Sequence, residues 1–161
     1  MPNERNVWVF VEQVEGQLAE VSLELLAKGR ELAQRLGGEV WAVLGGHHIE
    51  PLAQTVIQCG ADRVLAADHP ELALYRTLPY ARMLIQLVQA RRPYILLIGA
   101  TPVGRDLAPR VASAVRAWRL RMRASLRRKR KKPGLARRCC RLPKPWWGSR
   151  HWRRPWPRSR G

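Results

Sequence analysis

Hydrophobic residues in the first 117 positions follow a pattern that predicts alternating strands and helices. Four short runs are apolar throughout, as in strands buried on both faces of a parallel sheet, at 7–11, 40–44, 63–67 and 94–98. Apolar residues recur at helical spacing at about 21–36, 50–58, 80–90 and from about 106 on. The pattern therefore predicts an α/β fold with an open, doubly wound parallel sheet and helices on both faces.

Turn-forming and capping residues predict where these helices begin and end. Gly37 is expected to close the first helix, and Gly60 the second. Pro93 is expected to end the third, because the residue before a proline disfavours helical geometry. We predict that Asp106 caps the last helix and that Pro109 lies in its first turn.

The distribution of charge divides the chain at residue 117. The formal net charge is +18, yet all 12 acidic residues and 12 of the 30 basic residues lie within 1–117, so this part is neutral. Residues 118–161 carry the other 18 basic residues, no acid and few aliphatic side chains. We therefore predict an α/β domain at 1–117 and a disordered basic tail, rich in Arg, Trp and Pro, at 118–161. A helical extension is allowed as far as about Lys132, before Pro133-Gly134.

Candidate reactive residues in the sequence give no catalytic or metal constellation. His47-His48 follow Gly45-Gly46 on a predicted loop, where we expect exposed rings that point apart, with no carboxylate constellation beside them. Cys59 is expected to be a small packed thiol, and Cys139-Cys140 to be exposed. The three cysteines lack the spacing of a zinc site or a disulfide framework, so we expect a reducing compartment. Since no catalytic constellation emerges from the sequence, we expect no enzyme activity.

The amino terminus predicts a cytoplasmic protein. Residues 1–6 are polar, and the apolar run that begins at Val7 lasts five residues, too few for a signal peptide or a membrane span. Trp8 and Trp41 fall within predicted strands, so we expect them to pack in the core or at an interface.

The segment from Gly99 to Asp106 is the strongest candidate for a binding site. It joins the end of a strand to the start of a helix, where open α/β sheets bind ligands and backbone N–H groups receive phosphate. Arg105 would add a bidentate anion contact. The alternative, which we favour, is that the glycines form a tight turn, Asp106 caps the helix, and Arg105 pairs with a carboxylate or a partner subunit.

Three segments of the domain resemble electron transfer flavoprotein alpha subunits. They are Leu23-Glu24-Leu25-Leu26, Gly60-Ala61-Asp62-Arg63-Val64 and, most specifically, Gly99-Ala100-Thr101-Pro102-Val103-Gly104-Arg105-Asp106-Leu107-Ala108-Pro109-Arg110-Val111-Ala112. The last sequence is similar to the family's signature almost without change, and it lies between a predicted strand and a predicted helix. The resemblance covers residues 1–117 and implies a Rossmann-like fold of the adenine-nucleotide-hydrolase-like type. Gly99, Thr101, Gly104, Arg105 and Asp106 are its signature residues.

The resemblance also implies a function and a set of partners. The family's alpha subunit pairs with a beta subunit, accepts electrons from dehydrogenases such as those acting on acyl-CoA in fatty acid β-oxidation, and passes them to a membrane quinone reductase. It implies FAD in the alpha subunit's carboxy-terminal domain, which we expect this chain to lack, and AMP in the beta subunit. We therefore expect a truncated subunit-interaction module without flavin-binding residues, with no specific nucleic-acid partner and no membrane span.

Three origins of residues 118–161 stay open. They are a tether to nucleic acid or membrane, a reading-frame slip in a GC-rich gene, and a solubilising tail. We favour the slip, because the basic composition begins where the resemblance stops. The alternative function is a stand-alone nucleotide-binding α/β domain with a basic nucleic-acid tether.

Overall fold

A computed structural model describes residues 5–14 and 16–130, with side chains as far as residue 116. Strands and helices alternate along the chain. The elements are β1 (Val7–Val11), β2 (Gln13–Val14), β3 (Gln17–Leu18), α1 (Glu20–Leu36), β4 (Val40–Gly46), α2 (Glu50–Gln58), β5 (Arg63–Asp68), the short 3-10 helix η1 (Pro70–Leu72), α3 (Thr77–Arg91), β6 (Ile95–Leu97) and α4 (Pro102–Arg130).

Four of the strands form one parallel sheet in the order β5-β4-β1-β6. The central position of β1 follows from its pairing, since Val9 lies opposite Ala42 of β4 on one side and Leu97 of β6 on the other. The remaining strands, β2 and β3, form a separate antiparallel hairpin. The predicted α/β class with a doubly wound parallel sheet is confirmed.

The two faces of the sheet carry separate hydrophobic cores. Because side chains alternate along a strand, Val7, Val9 and Val11 of β1 pack with α1 and α2, whereas Trp8 and Phe10 pack with α3 and α4. The ring of Trp8 stacks on that of Trp41, with centroids 6.0 Å apart and planes 10° from parallel. The prediction of core packing for both tryptophans is confirmed.

Some predicted boundaries were right and others need correction. α1 ends at Leu36, and Gly37 takes the left-handed φ of 66° expected of its cap. β4 continues through Gly45-Gly46, two residues beyond the predicted end of this strand at 44. α3 begins three residues before Tyr80. β6 spans only Ile95–Leu97, because Tyr94 before it is exposed and follows Pro93.

The prediction that Asp106 caps α4 is wrong. The helix begins at Pro102, whose fixed φ suits a first helical position. The capping oxygen is the Thr101 hydroxyl, which accepts the N–H of Gly104 at 3.0 Å. Asp106 therefore lies in the second turn, and Pro109 lies inside the helix. The backbone of α4 continues past residue 117 to Arg130, and the predicted disorder and stop beyond it lie outside the described residues.

Candidate functional site at the carboxyl edge of the sheet

The carboxyl ends of β1 and β6 form the switch point of the sheet. β1 leads into α1, which packs through Leu26 on the face that carries Val9. β6 leads into α4, which packs through Leu107 on the opposite face, with Phe10. The chain leaves the two neighbouring strands in opposite directions, and ligands of open α/β sheets bind in the resulting crevice. This crevice is the first place to look for a site.

Glu12, the residue after β1, places its carboxylate in this crevice. The residue is only 9% exposed. Its backbone N–H donates to Ser22 Oγ at 2.9 Å, and the Ser22 hydroxyl donates to its carbonyl at 3.3 Å. The N–H of Ala19 also donates to that carbonyl at 3.0 Å. The first turn of α1 thus fixes the backbone of Glu12.

Thr101 receives the Glu12 side chain from the other side of the crevice. The Thr101 hydroxyl lies 2.8 Å from both carboxylate oxygens, and it accepts the N–H of Gly104 at the same time. The N–H of Arg105 donates to the Thr101 carbonyl at 2.9 Å. Pro102 has no N–H. Of residues 102–105, only Val103 therefore keeps an amide outside these contacts.

Two signature glycines allow the strand and the helix to approach this closely. A side chain at Gly104 would collide with the carbonyl of Gly99. A Cβ at Gly99 would lie 3.1 Å from a carboxylate oxygen of Glu12. The structure therefore brings together Gly99, Thr101 and Gly104 from the predicted site, and adds Glu12 and Ser22. An acid directly after β1 was the signal for Glu12, but only the strand order pairs it with Thr101.

The other two signature residues point away from the crevice contact. Arg105 is exposed and forms no ion pair with any residue whose side chain is described. Asp106 accepts hydrogen bonds from the hydroxyls of Thr77 and Tyr75 and from Arg110 Nε at 3.1 Å. Its role is to hold the connection between η1 and α3 against α4.

The contacts of Asp106 shift two pKa values. Hydrogen bonds from Thr77, Arg110 and Tyr75 stabilise the carboxylate and lower the pKa of Asp106 below its ordinary value. Partial burial, followed by the hydrogen bond to Asp106, raises the pKa of Tyr75. At neutral pH the tyrosine is therefore a neutral donor and the aspartate a charged acceptor.

A second carboxylate lies at the junction between β4 and α2. Asp68, the last residue of β5, accepts the backbone N–H groups of His48 at 3.0 Å and Ile49 at 3.2 Å through different oxygens. His47 Nδ1 lies 3.3 Å from the first of these oxygens. The histidines are exposed, as predicted. The expectation that their rings point apart is wrong, since the ring centroids are 3.8 Å apart.

A cavity of about 520 Å³ opens beside this second junction. Its walls include Gln13 from the hairpin, both histidines, the first turns of α2 and Leu74. Leu74 in this wall is 72% exposed. Three further apolar side chains are exposed, with Val14 at 68%, Leu78 at 61% and Tyr75 at 36%. We call these four residues the apolar edge. Val14 lies in β2, which follows β1, whereas Leu74, Tyr75 and Leu78 lie in the connection and first turn of α3 that follow β5.

The remaining candidate chemistry is sparse within the described residues. Their His, Cys, Asp and Glu side chains form no group of three or more that could hold a metal ion. Cys59 is exposed at the end of α2, so the prediction of a packed thiol is wrong. No helix among the described residues is long and apolar enough to cross a membrane.

The fold and its switch point define a doubly wound α/β domain of the kind that often binds nucleotides, here with a carboxylate in the usual ligand position. Residues 7–117 match the model of the electron transfer flavoprotein domain. This match covers more than half of the chain, so the chain belongs to the electron transfer flavoprotein family, as its signature segment predicted.

Named relatives are similar to this chain over about 110 of its residues. The chain is 52% identical over 109 residues to the electron transfer flavoprotein subunit alpha of Clostridium acetobutylicum, covering 68% of this chain and 32% of the relative. It is 45% identical over 109 residues to the acryloyl-CoA reductase electron transfer subunit beta of Anaerotignum propionicum, with 68% and 30% covered. The LctC subunit of the Acetobacterium woodii lactate dehydrogenase (NAD(+),ferredoxin) is 42% identical over 112 residues, with 70% and 27% covered. The chain thus matches about a third of each relative's length.

Proposed function

We propose that this chain is the subunit-interaction module of an electron transfer flavoprotein alpha subunit. In the complete heterodimer, electrons pass from dehydrogenases, such as those acting on acyl-CoA, to a quinone reductase. The match to the family at 7–117 and the alpha-subunit relatives support this assignment. The module itself is an electron carrier's scaffold and performs no catalysis.

The proposal assigns the flavin to a part of the assembly outside this domain. The family resemblance implies that FAD lies in a carboxy-terminal domain of the alpha subunit, and that AMP lies in the beta subunit. Residues 7–117 match the family, and their switch point carries the Glu12 carboxylate. We therefore expect this chain to bind neither FAD nor AMP alone. Its cytoplasmic location stays a prediction.

The apolar edge is the observation that carries the interaction role. Leu74 is 72% exposed and lines the cavity of about 520 Å³, and Leu78, four residues further along the chain, is 61% exposed. Apolar side chains clustered next to a concavity are typical of protein interaction sites. The hydrogen bond from Tyr75 to Asp106 holds the connection that carries these leucines against α4, so the surface is formed before a partner arrives.

The alternative function is a stand-alone nucleotide-binding domain with a basic tether. The doubly wound fold and the 18 basic residues of 118–161 are the observations in its favour. The Glu12 carboxylate and the occupied amides of α4 argue against the nucleotide part, because both disfavour a phosphate at the switch point.

Association with a purified electron transfer flavoprotein beta subunit tests the proposal. The full chain is expected to form a 1:1 complex in sedimentation velocity at about 1 M salt, where a Debye length of about 3 Å screens the basic tail. Changing Leu74→Glu together with Leu78→Glu is expected to weaken the complex at least about tenfold, since it places charge in an apolar contact.

Leu23→Glu is the matched control, because Leu23 is also a partly exposed leucine but lies on α1. It is expected to leave the complex intact. A chain that stays free of the beta subunit, or one whose binding is equally insensitive to all three changes, would overturn the proposal. Thermal protection by AMP with no beta-subunit binding would support the alternative.

A further inference from the structure

We propose that Glu12, through its contact with Thr101, is the residue that closes the switch-point crevice of this domain to phosphate-bearing ligands. The domain keeps the sheet order and the strand-to-helix turn of a nucleotide-binding fold. The selectivity against nucleotides then resides in two side chains. This inference goes beyond the proposed partner role and does not depend on it.

The position of the carboxylate sets up the exclusion. Glu12 is nine-tenths buried, and its contact in the crevice is one neutral hydroxyl, that of Thr101. A single hydroxyl hydrogen can satisfy only one of the two carboxylate oxygens well. The negative charge is therefore not cancelled by a described cation. At contact distance, in a partly buried site, a like charge weakens the binding of an anion by more than about a hundredfold.

Two of the three amides at the start of α4, those of Gly104 and Arg105, add to the exclusion. A helix amino terminus receives phosphate through free backbone N–H groups. Here the Gly104 N–H donates to Thr101 Oγ1 and the Arg105 N–H to the Thr101 carbonyl. The side chain of Thr101 thus occupies the place that a phosphate oxygen would take on Gly104, and it is held there by Glu12.

The surroundings of Glu12 indicate a built arrangement. Ser22, which is fully buried, makes two hydrogen bonds to the backbone of Glu12. Gly99 leaves the space that the carboxylate fills. A buried carboxylate with a purely structural role is commonly paired with a cation or with several N–H donors, whereas the Glu12 side chain contacts one hydroxyl.

The test removes the Glu12 carboxylate and the Thr101 hydroxyl, singly and together. We compare the full chain with its Glu12→Gln and Thr101→Ala single variants and with the double variant, using AMP as the probe and adenosine as the phosphate-free control. The readout is the NMR amide signals of residues 99–104, because they report on the crevice and not on the basic tail. Asp68→Asn is the matched control, since it removes a carboxylate from the other junction.

The parent chain and Asp68→Asn are expected to show no saturable AMP response at 99–104. Glu12→Gln is expected to gain a weak response, and the double variant a saturable one at least about tenfold stronger, with none from adenosine. A saturable response of the parent chain would overturn the proposal. So would a folded Glu12→Gln variant and a folded double variant that are both as unresponsive as the parent. If the double variant does not fold, the AMP response of Glu12→Gln alone decides: a gained response supports the proposal, and no gain overturns it.

Discussion

At the carboxyl edge, a carboxylate from the neighbouring strand lies at the start of a helix in two strand-to-helix junctions, but its contacts differ between the two. At the β4–α2 junction, Asp68 from the neighbouring strand accepts two backbone N–H groups directly. At the β6–α4 junction, Glu12 from the neighbouring strand reaches the helix only through the hydroxyl of Thr101. Asp68 is one-third exposed, whereas Glu12 is nine-tenths buried.

These contacts assign different roles to the two carboxylates: Asp68 stabilises a helix, and Glu12 disfavours phosphate-bearing ligands. Each oxygen of Asp68 serves a backbone amide, so its charge stabilises the start of α2. The two carboxylate oxygens of Glu12 share one hydroxyl, so Glu12 receives fewer hydrogen bonds at its side chain than Asp68 does. A family domain built on a nucleotide-binding architecture thereby presents a closed crevice at one junction and an open cavity with an apolar edge at the other.

The largest expected effect concerns close backbone approach at the β6–α4 junction. In Gly104→Ala the new methyl group would collide with the Gly99 carbonyl, which is backbone and cannot turn away. We expect the free energy of unfolding to fall by more than about 3 kcal/mol in urea titration. Gly46→Ala at the other junction meets Cγ2 of the buried Ile49, a side-chain atom and not backbone, so we expect the overpacking to cost about 1–3 kcal/mol. Equal losses would contradict the distinction.

An intermediate effect should come from exchanging each carboxylate for its amide. Asp68→Asn leaves one acceptor for two N–H groups that now use different oxygens, so we expect a loss of about 1–2 kcal/mol. Glu12→Gln keeps an acceptor for the Thr101 hydroxyl, so we expect a loss below about 0.5 kcal/mol. Urea unfolding of both variants checks this order. A larger loss for Glu12→Gln would make its carboxylate structural.

The smallest effect is a pH dependence that belongs to Asp106. Its pKa in the folded chain is lowered, chiefly by the hydrogen bond from Thr77, then by Arg110 and Tyr75. Its stabilising contribution is thus fully present above the unfolded pKa, near the ordinary value of 3.8, and is lost as the pH falls through the folded pKa. The stability difference between the parent chain and Asp106→Asn should therefore shrink below about pH 4. A difference that grows with acidity would contradict this assignment.

Much of the fold could be predicted from the sequence because the strands are apolar on both faces. The runs around Trp8 and Trp41 allow few interpretations other than buried parallel strands. The hairpin of β2 and β3 was missed, because two-residue strands are too short for periodicity to show. The sequence predicts the Gly99–Gly104 turn but does not distinguish Asp106 from Thr101 as the cap of α4, since both residues are good capping types.

The candidate site could be predicted only in part. The contact between Glu12 and Thr101 joins residues 89 positions apart, and it exists because β6 lies beside β1. Strand order is a long-range property that the alternation of strands and helices leaves undetermined. The same is true of Asp68, which reaches His48 only because β5 lies beside β4. Acids directly after buried strands were the available signal in both cases.

Hydrogen–deuterium exchange on the full chain tests the central claim most directly, namely that the carboxyl edge docks a partner while its crevice stays closed to nucleotide. An excess of beta subunit is expected to protect the amides of 13–18 and 73–78, whereas an excess of AMP is expected to leave 99–104 unchanged. Protection of 99–104 by AMP, together with no protection of the apolar edge by the beta subunit, would contradict the account.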